Sequence, residues 1–134
     1  MSMNEPVIRV RDALRALQSE RHYFSIAVYV VEGEFAIRIA AEGARCGQCD
    51  RVPLSEGNIG IVARNGRTHT IADVSTDMSY KSCFPQVRSE TVVPVLSSGR
   101  VVAVIDVESD REIVDPDPVE MFAADVAAIL VTPA

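Results

Sequence analysis

The stretch CFPQVRSETVVPVLSSGRVVAVIDVES, Cys83 to Ser109, decides the fold. Two β-branched apolar runs flank Ser97-Ser98-Gly99, which is the pattern of a hairpin, and a three-residue loop with Gly third suits a type I turn closed by a bulge. That loop sets an expected register: Leu96 opposite Arg100, hence Val92 opposite Val104, Glu90 opposite Asp106 and Arg88 opposite Glu108. Alternation then puts Thr91, Val93, Val95, Val101, Ala103, Ile105 and Val107 on one apolar face. Glu90, Asp106 and Glu108 gather on the other, as a ligand face or as a solvated sheet end partly neutralised by Arg88. Cys83 stands just ahead of them.

Outward from the hairpin, the chain opens with Val7, Val10, Leu14 and Leu17 at helical spacing between charged residues, an amphipathic helix over residues 5–20. Tyr23 to Val31 and Phe35 to Ala41 read as strands joined at Glu32-Gly33-Glu34, with Arg38 interrupting one face of the second. A polar loop with Cys46 and Cys49 precedes a short strand, Arg51 to Leu54. A short helix then runs from Ser55-Glu56-Gly57 to Asn65-Gly66, and Arg67 to Val74 returns as a strand. Ser75 to Val87 has no period and reads as a long loop, a kind of segment that often carries function. Asp117-Pro118-Val119-Glu120 opens a second long helix, with Asp117 as its cap and Val119, Phe122, Val126 and Ile129 as its apolar stripe. Two terminal helices and about six strands predict an α+β domain: an antiparallel sheet with helices on one face and a ligand pocket on the other. The two stripes lie at opposite chain ends, and one sheet face short of room for both would favour a homodimer.

With 134 residues and 48% hydrophobic content, a single domain can bury a core. A net charge of -6 without clustered Lys or Arg argues against nucleic acid. No membrane-length apolar run and no signal pattern is present, so the cytoplasm is the expected location and the three cysteines are expected as reduced thiols. No flavin or nicotinamide fingerprint appears, so no cofactor is expected. Cys46, Cys49 and Cys83 with His69 could make a zinc site, but one Cys-x-x-Cys without a second paired motif is a thin basis for one, and no metal is expected. His22 and His69 otherwise read as structural.

Across nearly its whole length, residues 5–131, the sequence resembles the GAF domain family. The resemblance lies in LSEGNIGIVARNGRTHTIADV (Leu54 to Val74), Tyr80, VRSETVVPV (Val87 to Val95) and VVAVIDVESD (Val101 to Asp110). It is similar, more narrowly, to the free methionine-(R)-sulfoxide reductase branch. That branch's pattern is met by Cys49, Pro53, Gly57 and Gly60, by Cys83 seven residues ahead of Glu90, and by Ile105-Asp106-Val107-Glu108-Ser109. Ile59 stands where the branch often has a third cysteine, Phe84 where Asp is common, and Glu108 in place of a second Asp, and the Trp usual in the first strand is absent.

The resemblance implies a chemistry. Cys83 would attack the sulfoxide sulfur, and Cys49, or Cys46 three residues away, would resolve the resulting sulfenic acid into a disulfide. Thioredoxin or a similar dithiol would recycle it. The expected substrate-binding residues are Glu90, Asp106 and Glu108. The α-ammonium of a free amino acid would relieve their mutual repulsion, while one carboxyl, placed at Glu90, would stay protonated and serve the sulfoxide oxygen as acid. The alternative is a non-catalytic GAF module, sensory or regulatory, that binds a small ligand.

Overall fold

A computed structural model describes residues 4–45, 50–77 and 84–131 of the chain. Cys46, Cys49, Tyr80 and Cys83 fall outside them. The elements are α1 (Asn4–Arg21), β1 (Ser25–Glu32), β2 (Phe35–Gly43), β3 (Arg51–Pro53), α2 (Gly57–Asn65), β4 (His69–Ile71), a single 3-10 turn at Val74–Thr76, β5 (Ser89–Ser97), β6 (Arg100–Ser109) and α3 (Pro116–Val131). The strands form one antiparallel sheet in the order β3-β2-β1-β6-β5-β4. The expected strand at Arg67 to Val74 is shorter than its apolar pattern, because only His69 to Ile71 pair with β5.

Each face of the sheet has its own core. α1 and α3 cover one face, where Val10, Leu14, Val119, Phe122 and Val126 meet Ile26, Val28, Val93, Val95, Ile105 and Val107. Both apolar stripes therefore bury on the sheet of their own chain, and the shortage of room that favoured a homodimer does not arise. α2 covers part of the opposite face, packing Ile59 and Val62 against Ala27, Tyr29, Ala36, Val92 and Val104. This third helix lies across from the terminal pair, on the face where the pocket is expected. α2 ends at Gly66, whose φ of 71° lets its N–H return to the Val62 carbonyl oxygen at 2.9 Å, the stop that Asn65-Gly66 announced.

The β5–β6 hairpin turns more tightly than its sequence suggests. Ser97 pairs with Arg100, leaving Ser98 and Gly99 as a two-residue loop with φ of 51° and 77°. Two left-handed residues make a type I′ turn, whose twist matches that of the strands. The pairing then slips between Val95 and Leu96, so that Val102 is an extra residue and Glu90 faces Glu108 while Val92 faces Asp106. The total offset from the expected register is two residues, which returns each strand to its original face. Thus the acidic face stands as expected but its partners do not. Val101, on the turn side of the bulge, is the residue that changes face: it packs with the α2 cluster while Val102 joins the core under the terminal helices. Arg88 does not face Glu108 either. It precedes β5, is exposed, and donates its backbone N–H to the Ser109 carbonyl at 2.8 Å.

The cap of α3 lies two residues ahead of the expected one. Asp115, not Asp117, takes that role: its Oδ1 accepts the Asp117 N–H at 3.0 Å, and Pro116 fills the first helical position, where no N–H is needed. Among the described residues no helix is long and apolar enough to cross a membrane.

Candidate functional site

On the α2 side of the sheet, small side chains leave a hollow. Ser25, Ala27, Ala41 and Ala44 present little bulk where a larger residue would fill the space, and a cavity of about 190 Å³ opens between the strands and the first turn of α2. Tyr29, Val52, Ile59 and Phe84 supply apolar walls. This volume lies below the roughly 300–1,000 Å³ of pockets that enclose drug-sized ligands, so the occupant it suits is small.

The carboxylates reach this cavity from two adjacent strands. Glu90 lies opposite Glu108, and Asp106 is one step along β6 on the same face. Glu90, Asp106 and Glu108 bring one ligand oxygen each within 4.8 Å of the others. Glu90 and Asp106 are only 5% and 8% exposed. Three carboxylates so close repel one another in a poorly solvated place, and an oxygen-only set of this kind suits an ammonium group or a hard cation.

Asn58, which the sequence reading passed over, is built into the cluster. It sits in the first turn of α2, is 3% exposed, and lines the cavity. Its Nδ2 donates to Glu90 Oε1 at 2.9 Å and to Asp77 Oδ2 at 2.8 Å. The signal available in the sequence was a polar residue at the start of an otherwise apolar helix. Arg38, Arg45 and Arg51 line the same cavity, as do Glu56 and Gly57 at the start of α2, so both signs of charge border it. Arg38 owes its place to a bulge in β2, where the pairing slips between Val28 and Tyr29 and sets Arg38 opposite Tyr29. The Arg51 guanidinium lies 3.8 Å above the Phe35 ring centroid, which fixes its plane. Phe84, next in sequence to Cys83, packs edge to face on Phe24 with ring centroids 5.7 Å apart. Of the expected site residues, Glu90, Asp106 and Glu108 come together, and Cys46, Cys49 and Cys83 lie outside the described residues.

A curled antiparallel sheet backed by its two terminal helices, with a partly open pocket of apolar walls and charged border under a short third helix, defines an α+β domain. The GAF domain family matches residues 8–131, and the chain belongs to that family. Protein ZMO0507 of Zymomonas mobilis is 33% identical over 88 residues, 65% of this chain and 50% of that protein. The matching region thus spans half the length of this relative. Among solved structures, the type II free methionine-R-sulfoxide reductase of Thermoplasma acidophilum superposes with a TM-score of 0.86 at 22% identity, covering 95% of this chain and 93% of that one. The free methionine-R-sulfoxide reductase of Neisseria meningitidis, in complex with its substrate, gives a TM-score of 0.79 at 24% identity over 93% of this chain and 75% of that one. At these identities the likeness establishes the fold.

Proposed function

We propose that this GAF domain reduces free methionine-(R)-sulfoxide with its thiols. The observation that carries the reading is the pocket itself: three carboxylates converge on a small cavity that also borders cations and the N-terminal turn of α2. A free α-amino acid is the ligand with matching charges. Its ammonium neutralises the acids, and its carboxylate fits beside Arg38, Arg45 or Arg51 and the N–H groups that the first turn of a helix leaves without intrahelical acceptors. The same residue inside a peptide has neither charge. The cytoplasm, where thiols stay reduced, is the compartment the chemistry requires.

The Cys83 thiolate attacks the sulfoxide sulfur while Glu90, from the face of the cluster, gives a proton to the oxygen. The hydroxyl so formed passes from the methionine sulfur to the Cys83 sulfur, so that methionine departs with its lone pair restored and Cys83 is left as the sulfenic acid. The Cys49 thiol attacks that sulfur, expelling water and forming a disulfide, and thioredoxin, oxidised in turn, returns both thiols. Cys46 is a second candidate for the resolving step.

The test couples the protein to thioredoxin, thioredoxin reductase and a nicotinamide reductant, with free methionine-R-sulfoxide as substrate. Turnover is expected in the parent, none in Cys83→Ser, and a single stoichiometric turnover with slow cycling in Cys49→Ser. Full activity in Cys83→Ala overturns the enzyme reading. A non-catalytic ligand-binding module is the second reading, because the carboxylates and arginines that line the pocket can hold a small charged ligand without chemistry. Tight binding of the amino acid without turnover would select it.

A further inference from the structure

Three arginines border the cavity, and the strand pattern separates them. In β2, Ala36 and Ala41 pack with the α2 cluster, whereas Ile39 and Ala40, adjacent at the bulge, both join the core under the terminal helices. Arg38 pairs with Tyr29, itself in the α2 cluster, so its side chain rises from the cavity face. Its backbone is held on both sides: Tyr29 is its partner in β1, and its own N–H is bonded to the Asp50 carbonyl oxygen at 2.9 Å. Arg51 differs. Val52 turns toward α2, so Arg51 leaves by the opposite face, where it stacks on Phe35, the residue that alternates with Ala36. Arg45 lies beyond the end of β2 and is exposed. Of these three, Arg38 is the one whose place in its strand sets it on the cavity floor.

From this we infer that Arg38 is a specificity-determining residue that binds the α-carboxylate of the ligand and so excludes a methionine sulfoxide at the N-terminus of a peptide. On the cavity face, Tyr29 and Ala27 of β1 lie between Arg38 on β2 and Asp106 on β6. Two strand spacings separate β2 from β6, about 10 Å. Two charge-assisted hydrogen bonds of about 2.8 Å, one at each charged end of an α-amino acid, fill most of that span with the α-carbon between them. The small side chains of Ala27 and Ala41 leave the floor between the two ends open. The acidic cluster alone would accept any primary ammonium, including that of an N-terminal residue, whose carboxyl is tied up in a peptide bond. A peptide carbonyl brings no charge to Arg38 and offers its guanidinium one oxygen instead of the matched pair of a carboxylate. The need for both charges limits the pocket to the free amino acid.

The inference rests on the reading that the pocket takes a free α-amino acid, and its test needs no turnover. Calorimetry on the full chain compares methionine sulfoxide with its carboxamide, at mildly acidic pH where both ligands carry a full ammonium. The parent is expected to prefer the free acid, and Arg38→Gln to cut that preference by about tenfold or more, the usual scale for a hydrogen bond to a charged group. Arg38→Lys, which keeps the charge but loses the planar fork, should fall between the two. Equal affinity of the parent for both ligands, an unchanged preference in Arg38→Gln, or a larger loss in Arg45→Gln or Arg51→Gln overturns the assignment and leaves the pocket reading in place. Failure of the parent to bind either ligand removes the pocket reading and the assignment with it. A second measurement uses the unaltered protein and is immune to misfolding of a variant. The Arg38 Nε–H resonance is expected to move when the free acid is added and to stay in place with the carboxamide; equal movement with both overturns the inference. Binding with this preference but without sulfoxide turnover would remove the reductase step and leave the role of Arg38 standing.

Discussion

Gly60 lies where α2 crosses closest to the end of β3, and replacing it with alanine tests how the helix and the pocket are joined. A Cβ built there would stand 2.4 Å from the Leu54 carbonyl oxygen and 2.9 Å from its carbonyl carbon, against the 3.4 Å at which ordinary contact begins. Leu54 cannot easily yield, because its N–H is bonded to the Glu34 oxygen at 2.9 Å. The helix must therefore move by roughly 0.6–1 Å, and packed interiors resist such movement at about 1–3 kcal/mol. Without the clash, alanine in a helix would stabilise by about 1 kcal/mol, so the sign of the change is itself informative. A net loss of up to about 2 kcal/mol is expected by denaturant unfolding. The same displacement carries Asn58, two residues away, beyond hydrogen-bonding range of partners now at 2.8 and 2.9 Å, so affinity for the free amino acid should fall about tenfold as well. Gly33→Ala is the control: its φ of 59° makes alanine strained, but nothing lies within 4 Å, so stability drops and ligand affinity holds. A Gly60→Ala protein as stable as its parent, with unchanged affinity, would refute the reasoning.

Three further outcomes are expected. Asp115→Ala removes the cap of α3 and should cost about 1 kcal/mol in thermal or denaturant unfolding, whereas Asp117→Ala should cost less. Burial raises the Tyr23 phenol above its ordinary value of 10.0, against the opposing charge of Arg21 and with a smaller push from Asp115. The fold therefore favours the neutral phenol, and the stability this gives is complete below pH 10.0 and lost as pH rises through the higher folded value; Tyr23→Phe should flatten that alkaline decline in a pH series of unfolding midpoints. In steady-state kinetics, Asp106→Asn and Glu108→Gln should chiefly raise KM and weaken discrimination against N-acetylated substrate, while Glu90→Gln should chiefly lower kcat. Normal kinetics in all three would mean that the cluster is only a sheet end.

The sequence by itself determined the elements and their faces. Helical spacing at Val10, Leu14, Phe122 and Val126, alternation through β5 and β6, and the Asn65-Gly66 stop are local signals set by backbone period and by glycine's access to positive φ, and each needs only a short window. The acidic face of the hairpin was legible for the same reason, since side-chain parity survives a slip of two residues. Pairing within that face was not, because a type I′ turn at Ser98-Gly99 and a bulge at Val102 are settled by strand twist and by packing on both sides of the sheet. The same holds for Val101, which the bulge hands to the α2 core. Nor could the sequence place α2 across the sheet from the terminal helices, or show that both stripes fit one face of a single chain, because those outcomes depend on the area each helix finally covers. Asn58 shows where local reading stops. In sequence it is one polar residue in an apolar helix. Its partners, Asp77 and Glu90, lie 19 and 32 residues further along, and only the crossing of α2 over β5 and β6 brings its amide between two carboxylates.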